Sequence, residues 1–288
     1  MSVPEIDHQR GIFIAALGVF ILSFDALLVR LADTEPMNIA FWRGALIFVS
    51  VALFLQINGQ REQWRRYKSY GGAAILVTVL YAINSGLFVF SVSYTSAANT
   101  VVILSSSAFF AAFFSWLLLR ENIPLRTWIA IVFSVAGVVI VFSGSVGQPN
   151  ALGDVLAVVL ALLMGMLLTL LRRMPDLPKM PVVACSGLVL AALTFPLASP
   201  FDLVPMQYSW LALMGLVHMP VASVLLMMAT RYLPSPEVSL FLLIETVLGP
   251  IWVLWALNES VPALTVIGGL AILGAVIVHS WLSLKHEN

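Results

Sequence analysis

Apolar runs of about 20 residues alternate with short polar breaks along nearly the whole of this 288-residue chain. About 20 helical residues cross the hydrocarbon core of a bilayer. The pattern therefore predicts ten spans, near 11–31, 37–57, 70–91, 96–118, 125–144, 152–172, 181–199, 207–230, 236–256 and 263–283. Breaks fall where proline, glycine and charge gather, as from Asp33 to Pro36, Asn58 to Lys68, Arg120 to Pro124 and Asn258 to Pro262. The joints at Ser93 to Ser96 and Leu233 to Pro236 are the shortest, but merging across them would give helices of more than 45 residues. No connection is long enough to hold a separate soluble domain.

The pattern also repeats. Glu121 and Pro124 return as Glu259 and Pro262, Tyr94 as Tyr232, Thr127 as Thr265 and Ile129 as Ile267, all at one offset of 138 residues. The chain thus divides into residues 1–146 and 147–288, each holding five spans. An odd number of spans inverts the second copy relative to the first, and inverted repeats of this kind build transporters that open alternately to either face. The expected fold is all-α and integral to the membrane: ten transmembrane helices as two inverted five-helix repeats.

Composition agrees with a lipid solvent: 61% of residues are apolar and 10% charged, against about 25% charged in soluble domains. Mean hydropathy is +1.02. Net charge is zero, so nothing draws the chain as a whole to nucleic acid. Basic residues favour the cytoplasmic side. With the N-terminus inside, Arg61, Arg65, Arg66, Lys68, Arg172, Arg173 and Lys179 all fall on inner segments, and the outer loops hold none. Both termini are then cytoplasmic. Glu5 and Asp7 precede a first apolar run too long for a cleaved signal peptide, so that helix is expected to stay. The lone Cys185 excludes an intrachain disulfide and a cysteine zinc site; neither a cofactor nor a metal is expected.

Candidate chemistry lies in the polar residues inside the spans. Glu245 sits near the midplane of the ninth, where a carboxylate costs roughly 2.5 kcal/mol or more unless it is paired, protonated or facing water. Its repeat-mate is Ser107. His218 lies at mid-depth in the eighth span, and its mate Leu80 adjoins Tyr81, with Asn84 one turn on. Tyr81, Asn84, Ser107, His218 and Glu245 form the expected substrate site at the repeat interface. A carboxylate beside an imidazole suits a substrate ammonium or a coupling proton. The bland readings are a buried structural acid, a ring occupying a carbonyl freed by Pro220, and serines bonding back to their own helix. Asp25, Arg30 and Arg43 make a second group in the outer third, either an ion pair or a vestibule for a carboxylate. Asp154, Glu237 and Arg231 lie near helix ends and read as caps or anchors.

"LLLRENIPLRTWIAIVFSVAGVVIVFSG" closes the first copy and "WALNESVPALTVIGGLAILGAVIV" the second, each with Glu-x-x-Pro before a glycine-rich helix. This resembles the EamA-type members of the drug/metabolite transporter superfamily. The segments "SFDALLVRLA" and "FWRG" are similar to YddG-like amino acid exporters. The resemblance implies a cavity lined by helices 1–4 and 6–9, with helices 5 and 10 peripheral. The proline usual in helices 4 and 9 is kept at Pro250 and replaced by Ala112, which implies a kink on one side only.

The functional expectation is a secondary transporter of the bacterial inner membrane exporting amino acids, aromatic or hydrophobic ones first, or similar small metabolites. Its partners are that small-molecule substrate, the lipid bilayer and the proton as candidate coupling ion, and the chain is a monomer or weak homodimer. Export of drugs or other metabolites is the alternative. An intramembrane enzyme is the more distant one, since paired zinc-binding histidines, a Gly-x-Ser-x-Gly elbow and a phosphate loop are all missing.

Overall fold

The computed structural model describes residues 5–120, 125–229, 232 and 235–287, and every regular element among them is helical. Seven stretches are long and apolar enough to cross a membrane: Gln9–Leu31, Pro36–Ile57, Gly72–Tyr94, Ala97–Leu119, Ala151–Leu171, Lys179–Leu197 and Pro205–Leu226. Shorter apolar helices, Trp128–Ser143, Ile244–Leu257 and Ala263–Ala275, lie where the fifth, ninth and tenth spans are expected. The chain is a multi-pass membrane protein.

Its first span is not continuous. Helix α1 (Glu5–Leu22) gives way to α2 (Asp25–Leu31) at Ser23 and Phe24. Ser23 Oγ donates to the Phe20 carbonyl at 2.6 Å, and the Phe24 N–H reaches back only three residues, to Ile21 O. A hydroxyl that takes a helix carbonyl competes with the backbone ladder. The second span is α3 (Pro36–Ile57), which begins on a proline where no helical N–H is needed. A short amphipathic helix, α4 (Glu62–Ser69), then occupies most of the expected break from Asn58 to Lys68. Trp64 and Tyr67 pack inward from it while Arg65, Arg66 and Lys68 stay exposed.

Helix α5 (Gly72–Tyr94) ends at the expected short joint. There Ser96 Oγ accepts the Asn99 N–H at 3.0 Å and caps α6 (Ala97–Leu104). The fourth span breaks in turn before α7 (Ser107–Leu119), where Ser105 and Ser106 donate to Val102 O and Ile103 O. Next come α8 (Leu125–Ser143), α9 (Ala151–Arg173), α10 (Lys179–Thr194) and α11 (Pro205–Ala212). A π-helical stretch, Leu213–His218, leads into α12 (Met219–Ala229), and the chain ends in α13 (Ser235–Leu257) and α14 (Ala263–Glu287). Pro250 sits within an unbroken α13. The interruption falls instead between α6 and α7, in the span where Ala112 stands, because serine hydroxyls capture the carbonyls there.

Close crossings set the packing. A Cβ on Gly44 would lie 2.5 Å from Gly187 O, and one on Gly187 would lie 2.5 Å from Gly44 O, so α3 and α10 touch backbone to backbone. Gly137 and Gly268 bring α8 and α14 together in the same way. Small residues serve this purpose in lipid, where apolar surface alone does not drive helices together. Helix α5 packs on α9, and α1 on α12.

Candidate functional site

The break in the first span creates the site. Asp25 opens α2 and is only 4% exposed; Arg43, in the second turn of α3, is 3% exposed. They meet as a two-pronged ion pair, Nη1–Oδ1 2.7 Å and Nη2–Oδ2 2.9 Å. Such paired geometry is the strong form of a charged hydrogen bond. Arg43 Nε donates to Ser85 Oγ at 3.1 Å, and its remaining hydrogens face Met214 and Met219 sulfurs at 3.6 and 3.7 Å. Phe88 lies under the guanidinium, 5.5 Å from ring centre to Cζ. A guanidinium has five N–H donors, and every one is engaged here.

His218 closes the π-helical stretch, two residues before Pro220, which cannot donate to the preceding turn. Its Nε2 lies 2.8 Å from Ile21 O, the carbonyl that also accepts the Phe24 N–H at the α1–α2 break. A carbonyl only accepts, so Nε2 carries the hydrogen. Nδ1 is buried without a hydrogen-bond partner and stands 3.9 Å from Asp25 Oδ1. The ring therefore reaches across to another span rather than filling a vacancy in its own.

Glu245 shares one face of α13 with Gly249 and Trp252. Gly249 faces Ser23 O and Val101, and Trp252 Nε1 donates to Ser23 Oγ at 2.8 Å, so this face looks onto the helix break. Trp252 also stacks on Phe24, centroids 4.7 Å apart. Glu245 is partly exposed and, among the described residues, makes no hydrogen bond or ion pair. It and Tyr81, also partly exposed, lie within electrostatic reach of both Asp25 and Arg43. Five residues from five spans thus form one cluster: Asp25, Arg43, Tyr81, His218 and Glu245.

Other residues singled out from the sequence lie elsewhere. Asn84 is buried and donates to Leu80 O of its own helix, leaving Oδ1 unpartnered. Ser107, the first residue of α7, is partly exposed and unbonded among the described residues. The expected outer trio divides: Arg30 turns from Asp25 to Thr95 O at 2.7 Å and Glu259 Oε1 at 3.2 Å. Glu259 also accepts the Ala97 N–H. Glu121, Pro124 and Arg231 lie outside the described residues, as does the side chain of Glu237. The sequence reading missed Ser85 and Ser23.

A second polar cluster closes off separately. Asp154, in the first turn of α9, is fully enclosed. It accepts from Thr95 Oγ1 at 2.5 Å and from Asn99 Nδ2 at 3.0 and 3.1 Å. Asn99 Oδ1 in turn accepts from Thr265, and Asn150 donates to Ser145 Oγ. Asp154 is an anchor between helices.

Residues 9–143 match the EamA-like transporter family. An uncharacterized transporter of Archaeoglobus fulgidus is 24% identical over 88% of this chain and 91% of its own length. One from Clostridium kluyveri is 24% identical over 85% of this chain and 83% of its own. A solved crystal structure shares the fold at a TM-score of 0.64 and 16% identity, over 97% of this chain and 99% of that one. Residues 9–143 are thus similar to the EamA-like transporter family, and most of the chain, with its apolar helices, is similar to two transporters.

Proposed function

We propose that the chain is a ten-span secondary transporter that exports amino acids, aromatic or hydrophobic ones first, or similar small metabolites across a bacterial inner membrane by alternating access. One observation carries the reading: Glu245, partly exposed and unbonded, lies in the middle of an apolar helix beside a buried ion pair. An acid in that position is costly in lipid, and its usual return is a substrate or proton site.

Packing supports two copies, residues 1–146 and 147–288; they are inverted in this reading, with both termini in the cytosol. Exchanging each span with the one five places on carries α5 on α9 into α12 on α1, and both pairs pack closely. It carries α3 on α10 and α8 on α14 into themselves. At residue level, the offset of 138 takes the Gly137–Gly268 crossing to Ala275 and Ala130, which share one apolar cluster. Inverted copies that meet at a central site are the architecture of alternating access.

Labelled amino acid in sealed vesicles carrying the protein tests the proposal. It should cross unchanged, saturate, and accelerate when unlabelled amino acid is placed on the far side. Flux without saturation would indicate a channel, and a chemical product would indicate an enzyme. Glu245→Gln should lower flux severalfold and flatten its dependence across about pH 5 to 8, where histidines and coupled carboxylates titrate. The charged groups within electrostatic reach of Glu245 are Asp25 and Arg43, and that pair is in turn within reach of Tyr81 and beside His218.

A further inference from the structure

We infer that the solute is read through a cationic group at Glu245 and that no carboxylate is bound by Arg43, so the substrate class is amines and related organic cations. Amino acids enter that class through their ammonium alone. The inference rests on the transporter reading and narrows it.

Donor accounting supplies the argument. The obvious receptor for a substrate carboxylate is Arg43, the only arginine in the cluster, but its hydrogens all point at Asp25, Ser85, Met214 and Met219. Freeing a pair of them would strand Asp25, 4% exposed, with only the His218 ring, 3.9 Å away, beside it among the described residues. Exchanging one buried carboxylate for another returns no net electrostatic gain and adds the desolvation of the incoming anion. His218 offers nothing more, since its N–H is committed to Ile21 O.

Charge balance points the same way. Asp25 and Arg43 pair with each other, which leaves Glu245 as the acid without a partner, partly exposed and unbonded among the described residues. An anion brought to this place meets two carboxylates and one saturated guanidinium, whereas an ammonium meets a free acceptor. The rest of the face suits the body of an amine. Trp252 lies seven residues from Glu245, about 10 Å along the helix. It stacks with Phe24 and meets Phe20 edge-on. Aromatic faces attract cations, by about 0.5–2 kcal/mol, and accept flat apolar rings.

Three probes with one ring system separate the possibilities: tryptophan, tryptamine without the carboxylate, and N-acetyltryptophan without the ammonium. Each is titrated against the purified full-length protein, with thermal stabilisation and competition as readouts. Tryptamine should bind at least as tightly as tryptophan, and N-acetyltryptophan should bind about tenfold more weakly or not at all. Glu245→Gln should lose tryptamine about tenfold while its ligand-free unfolding midpoint stays near that of the parent. Glu245→Asp, which keeps the charge, should retain part of the binding and guards against a variant that misfolds. N-acetyltryptophan binding like tryptophan, tryptamine failing to bind, or Glu245→Gln binding normally would each overturn the inference. Failure of the transporter reading looks different: tryptamine would bind but not cross a vesicle membrane. Flux of anionic solutes without amine binding would sink the cation site and leave transport standing.

Discussion

Asp25 and Asp154 are both buried in the helical bundle, and both stand in the first turn of a helix. Asp25 is neutralised by a guanidinium; Asp154 pairs with no cation among the described residues and is satisfied by the hydroxyl of Thr95 and the amide of Asn99. Asp154 belongs to a closed network, in which donors and acceptors are matched across Asn99, Ser145 and Thr265. Around Asp25 the network is left open, with Nδ1 of His218 unpartnered and Glu245 unbonded. A closed network fixes helices in place, since a half-satisfied one is costly. An open one in lipid holds functional groups ready for a ligand or a proton. Counting unmatched groups therefore separates a structural aspartate from one that frames a binding site.

Asp25→Asn gives the largest expected effect. Arg43 keeps Ser85 and the two sulfurs but loses its counter-charge, which leaves a cation buried at 3% exposure. Breaking one half of a buried pair costs about 3–5 kcal/mol, whereas removing both halves costs much less. Unfolding of the detergent-solubilised protein should show a loss of that size, with most of it recovered in Asp25→Asn/Arg43→Gln. A single variant within about 1 kcal/mol of the parent would mean that Arg43 is not committed to Asp25 and is free for substrate.

Asp154→Asn comes next. The new amide would set a donor against the donor of Asn99 or give up the Thr95 bond. Leaving one buried polar group unsatisfied costs about 1–3 kcal/mol. Stability should fall by that amount, while tryptamine affinity and the pH profile of flux stay unchanged. A shifted pH profile would move the titrating site from Glu245 to Asp154 and erase the distinction between the two clusters.

Much of the architecture could be read before any coordinates. Bilayer thickness imposes a 20-residue repeat, and the depth of Glu245 and His218 follows directly from it. The company each residue keeps could not be read in that way. Asp25 and Arg30 are five positions apart, about 140° around a helix, so a single partner cannot serve both. The sequence nevertheless suggested one trio, because depth was visible and azimuth was not. The two helix breaks were equally hidden. They depend on Ser23, Ser105 and Ser106 donating to their own backbone, and a serine looks the same in a sequence whether it does so or faces a cavity. Arg43 and His218 met Asp25 only because the break turned Asp25 and the Ile21 carbonyl inward. Helix α4 went unread because its charges resembled those of any inner loop.

The smallest effect is at Trp252→Phe, and it tests what holds the open cluster in place. Trp252 donates to Ser23 Oγ, and Ser23 donates onward to Phe20 O, so α13 props the break between α1 and α2. Phenylalanine can keep the stack on Phe24 but not the donor. A single neutral hydrogen bond contributes about 1 kcal/mol, and Trp252→Phe should lose that much. Ser23→Ala should behave differently. Removing the hydroxyl also releases Phe20 O to the helix ladder, and alanine favours helix, so part of the loss is offset. The coupling between Trp252→Phe and Ser23→Ala in a double-mutant cycle isolates the bond and should come to about 1 kcal/mol. Coupling near zero would leave the break to the serine and its own carbonyl. Glu245 would then face a feature of the first span alone, and the link from Trp252 to the binding face would be packing without a bond.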